Sequence, residues 1–392
     1  MNVLPNEDER MIGNSARAML DADCPPQLVR EMEKDPLGYS PALWASAAEL
    51  GWCGMCLPEA YGGAEMELVQ LGIVLREVGR AVAPLPLLAS SVAAITLARH
   101  ADDALKSDIL PGVATGETIL TFAFQENDAR LHPDAVKLTA RADGDGFVLN
   151  GAKMFVDSAA SAHAVLVVAR TGSGLSLFLV DLDAPGVTRT PLVTLAKDSQ
   201  SALSFDDVRV PRARLVGPVD GGWPIASDML DLATALLCAQ MVGATRRDIE
   251  MAFEYAKLRE AFGRPIGSFQ ALQHMCADMQ IWTDGGEMLT FEALWKMDQG
   301  LPAWVEVSQA KAFCNERLLA AARHSQSIHG GIGFMMEFDL HLWYRRIAAW
   351  AMRLGTSFEH RARIAQALID QPGNVRLGDA VTDREWHQIA VA

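Results

Sequence analysis

An α+β architecture in which most residues are helical is predicted by three observations. Apolar runs at helical spacing fill the chain up to residue 118. Short alternating β-rich runs with turn signals occupy residues 119–218, and long helical patterns return from Gly222 to about Gln371. The chain therefore reads as an N-terminal α-helical domain (1–118), a middle β domain (119–218), a C-terminal four-helix bundle (219–372) and a polar tail (373–392). At 392 residues, half of them hydrophobic, it can bury the cores of two or three domains.

In the first domain, Gly51, Gly62-Gly63 and Pro84-Leu85-Pro86 punctuate the helices. In the second, Val136, Leu138 and Ala140 alternate with polar residues, Asp145-Gly146 and Asn150-Gly151 are hairpin-type turn signals, and Ala164–Ala169 and Leu175–Val180 read as strands. The exit, Phe205 to Gly217, is extended and carries Arg209, Arg212 and Arg214. In the third, no proline interrupts Ile225 to Arg264, and Ile249, Phe253 and Ala256 share one helical face. Further helices are expected over 269–298, 303–328 and 337–370. Gly285-Gly286, at about 1 kcal/mol per glycine in a helix interior, predicts a break or a close contact.

The 34 basic and 49 acidic residues give a net charge of −15, which excludes a nucleic-acid binder working through basic patches. Any anionic ligand must meet local cations. The acidic start, Met-Asn-Val-Leu-Pro-Asn-Glu-Asp-Glu-Arg, lacks the layout of a secretory or transit segment, so a cytoplasmic location is expected. Leu236–Val242 and Leu87–Ala98 fall short of the roughly 20 apolar residues that span a bilayer, so no membrane span is predicted. Six dispersed cysteines read as reduced thiols, and Cys53-Gly-Met-Cys56, with no second Cys or His pair at ligand spacing, reads as buried thiols and not as a metal site.

Two segments carry chemistry. Arg259-Glu-Ala-Phe-Gly-Arg-Pro-Ile-Gly-Ser-Phe-Gln270 and Gln326-Ser-Ile-His-Gly-Gly-Ile-Gly-Phe334 each follow a helical pattern and set a cation or amide beside glycines. That is how backbone N–H groups are exposed to a pyrophosphate. No Gly-x-Gly-x-x-Gly lies between a strand and a helix, and no Walker lysine follows a glycine loop. With the Leu57–Gly63 loop and the 205–217 exit, these segments resemble the acyl-CoA dehydrogenase superfamily. Its members are flavoproteins that remove two hydrogens from the α and β carbons of an acyl-CoA thioester.

The resemblance implies FAD between the β domain and the bundle, with a neighbouring subunit reaching its pyrophosphate and adenosine. It carries Arg259, Phe262 and Gln270 onto one contribution and Gln326 with Gly330 onto the other. Phe155-Val-Asp-Ser-Ala159 corresponds to the family's flavin-facing segment: Phe155 as an aromatic wall, Asp157 as a carboxylate near the flavin N5 edge, and Ser158 beside it. Of the second flavin-facing segment only Glu126 is retained, and Thr356 is placed on the flavin phosphate side. The implied partners are an acyl-CoA substrate, an electron-transfer flavoprotein or similar acceptor, and a homo-oligomer or a heteromer with a homologous subunit. The implied setting is fatty acid or steroid side-chain catabolism.

The family's general base is missing. Of its two known positions, one holds Leu354, ahead of Gly355-Thr356, and the other holds Ala233, ahead of Thr234. The nearest acids, Asp231 and Glu359, read as solvated surface groups, so no catalytic residue is assigned. The small Ala233, Thr234 and Ala235 predict a wider pocket for a bulky or ring-bearing acyl group. Three functions are compatible with these residues: FAD-dependent α,β-dehydrogenation of an acyl-CoA, alone or as one subunit of a heteromer; a non-catalytic subunit of such a complex; and a flavin-dependent oxygenase of the same fold.

Overall fold

A computed structural model describes residues 5–370; the expected tail at 373–392 lies outside the described residues. The N-terminal part is helical: α1 (Glu7–Asp23), α2 (Pro26–Met32), α3 (Pro41–Glu49), α4 (Leu68–Arg80), α5 (Leu87–His100) and α6 (Asp103–Ala114). Side chains set the helix starts. Asn6 and Glu9 form a reciprocal cap on α1, Ser40 caps α3 ahead of Pro41, and Asp102 caps α6.

The middle part contains β1 (Leu120–Ala123), β2 (Thr139–Asp143), β3 (Gly146–Asp157), β4 (Ala164–Thr171), β5 (Gly174–Asp181), β6 (Val187–Pro191), β7 (Gln200–Pro211) and β8 (Leu215–Val216). Seven strands run in the order β6-β7-β3-β2-β4-β5-β8, and β1 pairs with β4 in parallel. The Asp145-Gly146 signal closes the β2–β3 hairpin. Asn150-Gly151 is not a turn. It lies inside β3, where the register against β7 shifts between Leu149 and Gly151 and Gly151 takes φ +141°. A Cβ on Gly151 would meet the Leu138 backbone at 2.9 Å, so here glycine permits a bulge and not a reversal.

The C-terminal part holds α7 (Trp223–Leu258), a short hairpin of β9 (Glu260–Ala261) and β10 (Arg264–Pro265), α8 (Gln270–Asp298), α9 (Trp304–His329), α10 (Leu340–Trp350) and α11 (Ser357–Asp370). α7 contains a window apolar enough for a membrane span, yet 89% of that window is buried inside the protein, so its apolar character is that of a core helix. α8 runs unbroken through Gly285-Gly286. Added Cβ atoms there would lie 3.0 Å from the Phe313 ring and 3.3 Å from Cys314 and Leu318, so the pair marks a close approach to α9. The helical span expected over 337–370 is in two pieces, because Leu354 (φ +53°) and Gly355 (φ +93°) are both left-handed and two such residues in succession cannot continue a right-handed helix.

Helices from the two ends of the chain touch backbone to backbone. A Cβ on Gly79 of α4 would lie 1.9 Å from the Gln240 carbonyl oxygen of α7, and one on Gly243 of α7 would lie 1.7 Å from the Arg76 carbonyl oxygen of α4. No side chain is available to yield, so the helices must part. Gly243→Ala is expected to cost about 3 kcal/mol, the upper end of the usual overpacking range, read as a lowered urea midpoint. A midpoint within experimental error of the parent would show that the two helices are not in this contact.

Candidate functional site

Two cavities flank the turn between α10 and α11. The larger, about 70 Å³, lies among the α4–α5 connection, α7, α10 and the β-domain residues Asp157, Ser158, Asp198 and Ser199. The smaller, about 40 Å³, is bounded by Phe122 to Gln125, Met154 to Asp157 and Leu230. Asp157, Arg353 and Leu354 line both. The position at which the resemblance expects the base is therefore the wall between two cavities, and an alkyl side chain stands there.

Three buried polar groups hold that turn. Lys311 Nζ donates to the Trp350 carbonyl at 2.6 Å, and Asn315 Nδ2 donates to the Gly355 carbonyl at 3.1 Å; both come from α9. His360 Nε2 lies 2.8 Å from the Leu354 carbonyl, an acceptor, so this nitrogen carries the proton. Burial pushes Lys311 down to about 8 and His360 down to about 4. Gly355 cannot be larger, since a Cβ would lie 2.6 Å from His360 Nε2.

Asp157 is not a free carboxylate beside a ring edge. Arg353 forms an ion pair with it, and Gln200 Nε2 donates to it at 3.3 Å, so the negative charge expected from sequence is compensated. Phe155 borders the smaller cavity at φ +54° and is 45% exposed, available as an aromatic wall. Ser158, at φ +52°, borders the larger cavity, and its backbone N–H donates to the Ser199 carbonyl.

Of the two nearest acids, one departs from expectation. Asp231, expected to be solvated, is buried and accepts two bonds from Arg363 at 2.7 and 2.9 Å. Burial raises its pKa while Arg363 opposes the shift. An arginine 132 residues later in the chain made this burial possible, and local sequence gave no sign of it. Glu359 accepts from the Thr356 N–H and hydroxyl at 2.8 and 2.9 Å, capping α11 and lining neither cavity. Ala233, Thr234 and Ala235 are fully buried, and the Thr234 hydroxyl donates to the Leu230 carbonyl. They line neither cavity.

Sequence reasoning missed Lys153. It is wholly buried, donates to Glu126 at 2.8 Å and to the Phe124 carbonyl at 3.0 Å, and burial pushes it down to about 8 against the pull of Glu126. The retained Glu126 was the one available signal that a cation was close. The two cysteines of Cys53-x-x-Cys56 are both pushed up to about 12 by burial, which makes them unreactive thiols. Among the described residues no three His, Cys, Asp or Glu side chains are arranged to hold a metal.

The remaining predicted residues gather where α7 and α9 end. Phe262 (φ +54°) and Gly263 (φ +77°) make the β9–β10 turn, a hairpin reversal with both central residues left-handed. Phe262 is 95% exposed and stacks edge-on against Phe269. Arg259 and Gln270 are exposed. Gln326 is buried and donates to the Gly333 carbonyl at 3.3 Å. Gly330 takes φ +62°, and a Cβ on it or on Gly331 would meet nothing within 4 Å. Tyr255 of α7 stacks on His329 of α9, which joins the two segments.

This donor set fits a flavin dinucleotide. An exposed guanidinium and amide with open glycine backbone suit a pyrophosphate, while Phe122, Met154 and Phe155 around the smaller cavity suit an aromatic ring system. The two groups do not share a cavity.

Residues 6–117, 121–208 and 220–369 match the acyl-CoA dehydrogenase N-terminal, middle and C-terminal domain families. The chain is 30% identical over 370 residues to a probable acyl-CoA dehydrogenase, YngJ, of Bacillus subtilis, covering 88% of this chain and 97% of that one. It superposes at TM-score 0.88 on a chain of the ChsE4–ChsE5 complex of Mycobacterium tuberculosis, 30% identical, covering 95% of this chain and all of that one. The FAD complex of PigA superposes at 0.86, 25% identical, over 94% and 99%.

The neutral His360 has a pH consequence. Its folded pKa, about 4, lies below the ordinary 6.5, so between those values the unfolded chain binds a proton that the folded chain refuses. The contribution is fully present above pH 6.5 and is lost as pH falls through 4, on the order of 3 kcal/mol in all. His360→Gln, which keeps a donor for the Leu354 carbonyl, is expected to flatten urea-unfolding stability across that window. An unchanged slope would place a different group behind the acid sensitivity.

Proposed function

Since the chain belongs to the acyl-CoA dehydrogenase family of flavoprotein oxidoreductases, we propose that it acts in FAD-dependent α,β-dehydrogenation of an acyl-CoA as the base-lacking subunit of a heteromer. A homologous chain supplies the carboxylate. The observation that carries this reading is the Leu354 side chain at the junction of the two cavities. The acids that line the cavities with it, Asp157 and Asp198, both face Arg353.

Removing a proton α to a thioester requires a base within hydrogen-bond reach of that proton. Leu354 cannot accept a proton, and Asp157 would first have to give up Arg353. The parts this chain would contribute are Phe155 and Ser158 at the ring, Thr356 near the phosphate side, Arg259, Phe262 and Gln270 from the exposed hairpin, and Gln326 with Gly330 from the end of α9. FAD held by these residues would supply the acceptor for the hydride that leaves the β carbon. The hairpin residues are exposed and line neither cavity, which suits contact with a cofactor held mainly by a neighbouring subunit. An oligomer, a cytoplasmic setting and an electron-transfer flavoprotein or similar acceptor belong to the same reading.

The test is anaerobic bleaching of the flavin spectrum by acyl-CoA, for the chain alone and co-expressed with a homologous chain. The chain alone is expected to bleach about 10² to 10⁴ times more slowly than the pair, and Leu354→Glu to recover part of that deficit. Rapid bleaching by the wild-type homomer would end the argument for a base-supplying partner. Arg259→Ala is expected to weaken flavin retention about ten- to a hundredfold, measured as free FAD after gel filtration. Full flavin occupancy in that variant would remove the hairpin from the cofactor site.

A further inference from the structure

The larger cavity carries charge that an acyl-end pocket has no use for. Arg346 lines it, is only 8% exposed, and makes no hydrogen bond or ion pair among the described residues. Its Nε is sealed from solvent without an acceptor. The other charges nearby are paired. Glu33 is taken by Arg345 at 2.7 Å and Lys197 at 3.9 Å, and Asp157 by Arg353. Asp198 accepts from Thr194 at 2.9 Å and Gln200 at 3.3 Å, with Arg353 at 3.6 Å. Arg345, Arg346, Arg353 and Lys197 against Glu33, Asp157 and Asp198 leave one positive charge without a counter-charge. Burial depresses the Arg346 pKa; the charges of Asp198 and Glu33 oppose the shift and that of Arg345 adds to it, but neither acid is within ion-pair distance.

A buried cation without a partner is costly, and native proteins bury guanidinium groups in fixed pairs. At about 70 Å³ the cavity is far below the roughly 300 Å³ at which drug-sized ligand sites begin, but it admits a group of a few heavy atoms. A planar guanidinium matches a carboxylate through parallel N–H donors, which a spherical anion cannot exploit. Leu88 and Trp350 in the same wall offer apolar surface to a short alkyl segment.

We propose that this cavity binds one carboxylate group as the counter-ion of Arg346. The carboxylate is either that of a free short-chain acid or the distal carboxylate of an acyl-CoA. The second source rests on the acyl-CoA reading above; the first stands without it.

The full-length chain is titrated calorimetrically with sodium propionate, sodium chloride, butyryl-CoA and glutaryl-CoA, for wild type and for Arg346→Met and Arg346→Lys. Propionate is expected to bind at least tenfold more tightly than chloride. Arg346→Met should weaken it about ten- to a hundredfold, and Arg346→Lys, which keeps the charge but not the planar fork, should weaken it less. Glutaryl-CoA binding at least tenfold more tightly than butyryl-CoA, with the preference lost in Arg346→Met, assigns the carboxylate to an acyl-CoA. Propionate binding without that preference assigns it to a free acid. If neither thioester binds while propionate does, the acyl-CoA reading fails for this chain and the anion site stands. Wild-type protein that shows no preference for propionate over chloride and none for glutaryl-CoA over butyryl-CoA overturns the proposal whether or not the variants fold. So does a preference that survives Arg346→Met.

Discussion

The anchoring of the turn between α10 and α11 to α9 is the constraint on which the rest of the site depends. Lys311 is wholly buried, yet it spends its charge on a backbone carbonyl, that of Trp350. An ammonium in that place is tolerated because the last turn of a helix leaves carbonyl oxygens without intrahelical donors, and the helix C-terminus carries partial negative charge. Further along the turn, Asn315 donates to the Gly355 carbonyl and His360 to the Leu354 carbonyl. The left-handed Leu354 and Gly355 are then fully determined by their surroundings, the condition under which a strained backbone persists.

From that turn the two halves of the protein are joined. Arg353, immediately before Leu354, reaches across to Asp157 and Asp198 of the β domain. Arg345, one turn before the end of α10, reaches Glu33 of the N-terminal helices and the Leu195 carbonyl. The cavities are therefore bounded by ion pairs as well as by apolar side chains, and a register change in α10 would disturb all three parts at once. Backbone contact between Gly79 and Gln240 and between Gly243 and Arg76 fixes the opposite side, so the N-terminal helices cannot shift to relieve a strained turn.

Electrostatics at the two cavities is set by ion pairs. A general base needs a carboxylate whose negative charge is available to a substrate proton. Here the acids near the cavities face arginines, and among the described residues lining them Arg346 is the charged group without a partner. Glu126 and Lys153 repeat the pattern next to Phe124 of the smaller cavity, where a buried lysine holds the carboxylate.

Much of the fold was legible in the sequence because its signals are local. Helical spacing in α7, the Asp145-Gly146 reversal and the alternation in the β runs depend on residues within one or two turns of each other. Arg259, Phe262 and Gly263 were likewise readable as a glycine-rich exposed segment, and the absence of a carboxylate at Leu354 and Ala233 is a fact of the sequence itself. Long-range pairing decided the rest. Asp231 is buried because Arg363 meets it from α11, Asp157 is neutralised because Arg353 arrives from α10, and Asn150-Gly151 became a bulge because β7 continued alongside it. A charged side chain looks the same in sequence whether water or a distant partner will solvate it. Only the tertiary structure supplies the partner, and so only it could show which charges were spent and that Arg346 was not.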